Sequence, residues 1–273
     1  LTLQLKENRV DKKKVLVTGM GGQVGGIIRR NLGDKYELSG IDRVPVDGIK
    51  SLVADIADLN AIQPAFEGID AVVHLGADPS PRASWESILQ NNLVGTRSVY
   101  EAARVAGVKR IIFASSNHVV GYYPLKQDPY KAIYDGRLGE VRRPFPMLTD
   151  AAMRPDSYYG VSKAFGESLG SYFHDAFGIS VICLRIGWVM TPDNPKFSPP
   201  ALSLWLSHRD AALLIERSID APPSVGFAIV HGMSKNDLRI WDIESANQII
   251  GFDPQDNAGE VWTDPPGGPR SFM

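Results

Sequence analysis

The order Val15-Leu16-Val17-Thr18-Gly19-Met20-Gly21-Gly22-Gln23-Val24-Gly25 constrains this chain more than any other feature. A short apolar run enters a loop with glycines at 19, 22 and 25, and an amphipathic stretch reaching residue 32 follows. Glycines so spaced let a chain turn sharply after a strand, bring bare backbone up to a pyrophosphate, and pack the next helix closely on the strand. The helix N-terminus then offers free amides to phosphate charge. A lone glycine triplet is weak evidence. The strand before it and the helix after it make Gly19, Gly21, Gly22, Gln23, Val24 and Gly25 a dinucleotide loop rather than a flexible turn.

Strand-length and helix-length segments then alternate. Apolar runs at residues 37–41, 53–54, 71–74, 110–114 and 180–186 are separated by helical stretches at 84–106 and 159–177. That alternation predicts an α/β protein, a doubly wound parallel sheet of the Rossmann kind whose strand ends collect ligands along one edge. A small C-terminal substrate lobe completes the expected architecture. The expected division is 1–186 for the nucleotide-binding domain and 187–273 for the lobe, with residues 225–231 returning to the main sheet. Residues 202–218 and 243–250 read as helices. Two segments interrupt the pattern: residues 122–154, with five prolines up to Pro155 close by, and residues 191–200, where Pro192, Pro195, Pro199 and Pro200 exclude regular helix. The tail from Asp264 reads as loose.

Composition removes other classes. The 29 Lys and Arg against 31 Asp and Glu leave a net charge of −2, giving no general reason to bind nucleic acid or an anionic membrane. No apolar run approaches the ~18 residues that a membrane span requires. Residues 1–14 lack the apolar core and cleavage site of a signal peptide, and Lys12, Lys13 and Lys14 read as a solvated strand start. Cys183 is the single cysteine, so no intrachain disulfide forms, and a reducing, cytoplasmic compartment is compatible. The five histidines show no metal-ligand spacing, and no metal is expected.

Asp42 closes the second strand about twenty residues after the loop, where a carboxylate binds both ribose hydroxyls of an adenosine and repels a 2′-phosphate. NAD is therefore favoured over NADP, although Arg43 beside it softens the exclusion, and a plain turn role for Asp42 is the alternative. Tyr159 and Lys163, four residues apart at the start of a helix, share one face. A cation there is expected to lower the tyrosine pKa from its usual ~10 and make the phenol a base. Tyr-x-x-x-Lys alone is a common coincidence. Here the strand at 110–114 opens into Ser115-Ser116-Asn117-His118 at the same sheet edge.

Together these residues resemble the extended short-chain dehydrogenases/reductases, the NAD-dependent epimerase/dehydratase family, over residues 14–262. The glycine loop, Ala54-Asp55-Ile56, His74-Leu75-Gly76-Ala77, Asn92-Leu93-Val94-Gly95-Thr96, Ser116, Tyr159 and Lys163 carry the resemblance in order. It implies NAD as cofactor. It also implies Asp55 and Ile56 beside the adenine, further cofactor contacts from Leu75, Gly76, Ala77 and Asn92, the last bracing the active-site helices, and a catalytic triad of Ser116, Tyr159 and Lys163. Residues 113–124, 159–167, 184–187 and 205–208 are similar to the branch holding the uronate dehydrogenases and archaeal NAD-dependent sugar dehydrogenases. That branch implies oxidation of the anomeric carbon of an aldose derivative, a hexuronic acid or sugar phosphate, to a lactone. One departure stands out: where uronate dehydrogenases carry an arginine for the substrate carboxylate, residues 194–199 hold only Lys196.

The expected substrate contacts are Ser80, Arg82, Ser116, Asn117, His118, Tyr159, Trp188 and Lys196, with Lys126, Lys131, Arg137, Arg142 and Arg143 as a possible basic rim. A solvated or subunit-facing segment is the alternative for that rim. His74 reads as a packed structural histidine, and Trp205, Trp241 and Trp262 as core or sugar-facing walls. His118 beside Ser116 does not make a serine hydrolase, because no Gly-x-Ser-x-Gly elbow is present. Two other functions compete: an epimerase or dehydratase acting on a nucleotide-linked sugar with NAD retained, disfavoured by the short C-terminal region, and a non-catalytic NAD-binding regulator, disfavoured by the intact Tyr/Lys pair. The resemblance also implies a homodimer through helices 84–106 and 159–177.

Overall fold

A computed structural model describes residues 12–145, 147–148, 151–196 and 198–261. The expectations for residues 1–11, for Trp262 and for the tail from Asp264 lie outside the described residues.

Seven strands form one parallel sheet: β1 (Lys14–Thr18), β2 (Glu37–Asp42), β3 (Lys50–Val53), β4 (Ala71–His74), β5 (Arg110–Ser116), β6 (Ser180–Ile186) and β7 (Phe227–Gly232), in the order β3-β2-β1-β4-β5-β6-β7. The strand expected at 53–54 begins earlier, at Lys50, and β5 runs on to Ser116. Because strand side chains alternate between faces, Val15 and Val17 enter one core layer and Leu16 the other. Helices α1 (Gln23–Leu32) and, later in the chain, residues His208–Ile219 cover the first face. Helices α2 (Gly95–Val105) and α3 (Tyr158–Phe177) cover the second. The strand order reverses between β1 and β4, which opens a crevice at the carboxyl ends of these strands.

Residues 202–218 do not form one helix. A turn of helix at Ala201–Leu204 stops at Trp205, whose ψ of 131° is extended, and α4 (His208–Ile219) starts afresh. The Ser207 hydroxyl accepts the Asp210 N–H at 3.0 Å, an N-cap that competes with continuation of the first helix. After Ile186 the chain also divides its burial. Helix α4 packs on the main sheet against α1, whereas Leu204, Met233, Ile240, Trp241 and Ile243 form a separate apolar cluster with Val120, Tyr130 and Ile133. Part of that cluster therefore comes from the 122–154 segment, which contains the short helices Tyr122–Lys126 and Tyr130–Tyr134.

Candidate active site

The crevice is a cleft of about 950 Å³ running from the first glycine loop to Trp188. Gly19 has φ +72°, a left-handed conformation that favours glycine, and a Cβ there would lie 2.9 Å from the Gly76 nitrogen. A Cβ on Gly25 would lie 2.4 Å from the Met20 carbonyl oxygen, so only glycine lets α1 begin this close to the loop. Asp42 Oδ2 accepts the Gly21 N–H at 2.9 Å, and Oδ1 accepts the Arg43 N–H at 2.7 Å, which fixes the carboxylate at the end of β2. This bare-backbone cradle, with the carboxylate at its side, fits a dinucleotide. Gly19, Gly21, Gly22, Gln23, Val24, Gly25, Asp42, Arg43, Asp55, Ile56, Leu75, Gly76 and Ala77 all line the cleft, as do Tyr159 and Lys163.

Asn92 does not line the cleft. Its amide oxygen accepts the Asp78 N–H at 2.7 Å, while Nδ2 donates to the Asp78 carbonyl and the Ser162 hydroxyl, each at 3.0 Å. It ties the loop after β4 to α3 and acts on a cofactor only through those neighbours. It lies in a wide π-helical stretch, Ile88–Val94, that leads into α2.

Helix α3 brings Tyr159 and Lys163 to the cleft. Its first turn is capped by the Ser157 hydroxyl, which accepts the Gly160 N–H at 3.1 Å. Gly160 and Gly166 let it press on β5 and the turn beyond: Cβ atoms there would lie 2.5 Å from the His118 carbonyl oxygen and 2.1 Å from the Phe113 ring. Lys163 Nζ then sits 5.4 Å from the centre of the Tyr159 ring and 5.1 Å from that of Phe113.

The electrostatics differ from the expectation that Lys163 lowers the phenol pKa. Burial pushes Tyr159 up to about 12; its hydrogen bond with Ser116 works in the opposite direction, and the Asp78 carboxylate adds to the rise. Burial also pushes Lys163 down to about 8. Taking both groups out of water disfavours both charged forms. Asp78, which accepts the Ser87 hydroxyl at 2.5 Å, was not among the expected site residues.

Ser116, Asn117, His118 and Trp188 line the far half of the cleft with Pro79, Pro81, Asn91, Ile186, Gly187, Val189 and Leu204. Ser80, Arg82 and Lys196 do not. The Ser80 hydroxyl accepts the Arg82 N–H at 3.1 Å within the loop, and both Arg82 and Lys196 are exposed. The basic rim is likewise not on the wall. Lys131 pairs with Asp135, Arg137 with Asp128, Asp135 and Glu140, and Lys126 lies over Tyr122. Acids within the same segment offset the charge of Lys131 and Arg137, and Arg142 and Arg143 are exposed. His74 is buried between the Thr18 and Thr96 hydroxyls, at 2.7 and 3.1 Å, a structural histidine as expected. Among the described residues no cluster of three or more His, Cys, Asp or Glu is placed to hold a metal ion, and no helix is long and apolar enough to cross a membrane.

Comparison with known proteins agrees with this geometry. Residues 15–208 match the NAD dependent epimerase/dehydratase family. The chain is 40% identical over 258 residues to an NAD-dependent glucose-6-phosphate dehydrogenase of Haloferax volcanii, covering 90% of this chain and 94% of that one. It is 39% identical over 251 residues to a uronate dehydrogenase of Agrobacterium fabrum, covering 90% and 86%. A mutant uronate dehydrogenase of Agrobacterium tumefaciens, solved in complex with NAD, superposes with a TM-score of 0.76 at 37% identity over 91% of this chain and 86% of that one. A cradle for a dinucleotide, a Ser/Tyr/Lys set at its far end and a family match over most of the sheet lead to one conclusion: this chain belongs to the NAD-dependent epimerase/dehydratase family, in its extended short-chain dehydrogenase/reductase form.

Proposed function

We propose that the protein oxidises the anomeric carbon of an aldose derivative, a hexuronic acid or sugar phosphate, to a lactone. The observation that carries this reading is the convergence of Ser116, Tyr159 and Lys163 at the inner end of the cleft whose outer end is the glycine cradle and Asp42. NAD, when bound, supplies the hydride acceptor. Tyr159 takes the proton of the anomeric hydroxyl, Ser116 holds that oxygen through its own hydroxyl, and Lys163 supplies positive charge beside the phenol. Asn117 and His118 meet neighbouring sugar hydroxyls, and Trp188 closes one side. Relatives that act on uronate, glucose 6-phosphate and arabinose support a sugar of this class.

The test is an absorbance assay for NADH with glucuronate, galacturonate, glucose 6-phosphate, glucose and arabinose side by side. Stoichiometric NADH from at least one sugar is expected. Sugar turnover with no net NADH would instead identify an epimerase or dehydratase, and no turnover with tight NAD binding a regulator.

The proposed assembly is a cytoplasmic homodimer. Support for the dimer comes from exposed apolar side chains on adjoining helical surfaces: Trp85 and Leu89 ahead of α2, and Tyr158, Val161, Tyr172 and Phe177 on α3. Trp85 and Tyr158 already meet there, their rings tilted to each other with 5.5 Å between centres. Soluble monomers seldom leave such a surface bare. Sedimentation should give twice the chain mass, and Val161→Glu should halve it. Cell fractionation checks the compartment.

A further inference from the structure

His118 and Asp156 are brought together although 38 residues separate them. The Nδ1 atom of His118 lies 2.9 and 2.8 Å from the two carboxylate oxygens of Asp156, and the Asp156 side chain is only 10% exposed. Backbone hydrogen bonds set the pairing: Arg154 N–H donates to the Val119 carbonyl at 2.9 Å, Tyr122 N–H to the Arg154 carbonyl at 3.1 Å, and Asp156 N–H to the His118 carbonyl at 3.3 Å. Gly121 leaves the room the carboxylate occupies, since a Cβ there would fall 1.9 Å from Asp156 Oδ2. The His118 ring stands edge-on to Tyr159, 5.5 Å between centres, and its backbone N–H donates to the Ser116 hydroxyl at 3.2 Å.

We propose that Asp156 is a positioning residue: through His118 it reads the sugar hydroxyl on the carbon next to the one oxidised. The inference rests on the dehydrogenase reading above. An ionised carboxylate only accepts hydrogen bonds, so it holds the proton of a neutral imidazole on Nδ1. The opposite edge of the ring, with Nε2, is then a pure acceptor on the wall of the cleft that His118 lines. Ser116 and Tyr159 engage the reacting oxygen. The acceptor two residues along the chain meets the adjacent hydroxyl, which for anomeric oxidation is the one on carbon 2. The site thereby selects aldoses with a free 2-hydroxyl.

Asp156→Asn inverts this arrangement, because the amide donates to Nδ1 and moves the ring proton to Nε2, presenting a donor where an acceptor is needed. A carboxylate-to-amide exchange that installs the wrong tautomer is known to disable a catalytic histidine without moving it. The Asp156 carboxylate also accepts from the Ser157 hydroxyl at 2.9 Å, and Ser157 caps α3, so a purely structural effect must be separated. His118→Gln does so, since glutamine carries an acceptor without a tautomer to set.

Asp156→Asn, His118→Gln and the double variant are compared on the fastest sugar of the panel and, where that sugar is glucose or glucose 6-phosphate, on its 2-deoxy form. The expected result is a loss in kcat/KM of about 10- to 100-fold for Asp156→Asn in the parent background, with little further loss in the His118→Gln background. The 2-deoxy substrate should be nearly blind to Asp156→Asn. An equal loss in both backgrounds overturns the proposal and returns Asp156 to helix capping. Nitrogen NMR of the labelled histidine gives a readout independent of turnover: Nε2 should resonate as an unprotonated ring nitrogen in the parent and as a protonated one in Asp156→Asn. A protonated Nε2 in the parent overturns the proposal. If no sugar yields NADH, the dehydrogenase reading fails first, and this resonance alone decides the His118 orientation.

Discussion

Glu167 on α3 receives both arms of the Arg185 guanidinium from β6: Nε donates to Oε1 and Nη2 to Oε2, each at 2.9 Å. The Ser115 hydroxyl donates to the same Oε1 at 2.6 Å, and the two charged side chains are 0% and 7% exposed. Glu167 follows Lys163 by four residues and Tyr159 by eight, so all three fall along one helical face. The ion pair therefore pins to β5 and β6 the helix that carries the proposed base.

Removing one member of this pair leaves the other charge buried without compensation. Glu167→Ala is expected to destabilise the fold by about 3–5 kcal/mol, measured by urea denaturation, whereas Glu167→Leu with Arg185→Met recovers a large part of that loss. Equal stability of the single and double variants would show that the charges do not act as a unit.

Two buried imidazoles make the fold sensitive to acid. Burial pushes His74 and His231 down to about 3, with the Lys163 charge acting in the same direction on His74 and the Arg185 charge on His231. Their folded values lie below the ordinary ~6.5 of an unfolded histidine, so the stability they confer is complete above about pH 6.5. It falls as the pH drops towards 3, by about 1.4 kcal/mol per pH unit for each histidine. His231 stacks on Trp241 at 6.1 Å. His231→Phe keeps a ring there and should lower the slope of unfolding free energy against pH between about 4 and 6 by about 1.4 kcal/mol per pH unit, one histidine's share.

The phenol at about 12 and the ammonium at about 8 predict the shape of the pH–rate profile in the free enzyme. Below its pKa, the ionised fraction of Tyr159 rises tenfold per pH unit, so log kcat/KM should climb with a slope near one. Above about pH 8, loss of the Lys163 charge should bend the line downward. Lys163→Met should remove that bend, and Tyr159→Phe should lower turnover by about 10²- to 10⁴-fold with NADH binding intact. A parent profile that is flat from pH 6 to 9 would contradict this assignment.

Asp42, fixed by the Gly21 and Arg43 amides, predicts cofactor choice. Asp42→Ala should weaken NAD binding by about 10- to 100-fold in a fluorescence titration, as expected for loss of charge-assisted hydrogen bonds. NADP should be weakened less, because the carboxylate that repels its 2′-phosphate is gone.

The sequence by itself determined the parallel sheet, the glycine cradle, Asp42 at the end of β2 and the shared face of Tyr159 and Lys163. Each of these is local: strand and helix periods, the lack of a Cβ, and a four-residue offset act within one or two turns of chain. Tertiary structure alone decided the rest. It paired His118 with Asp156 and Glu167 with Arg185, placed Asp78 near the phenol, bonded Asn92 to Asp78 and Ser162, and left Arg82 and Lys196 off the cleft wall. It also raised the tyrosine that a neighbouring lysine was expected to lower. Hydrogen-bond partners distant in sequence and the loss of water around a charge both depend on what the folded chain packs against each group. Residue types and spacing along the chain do not carry that information.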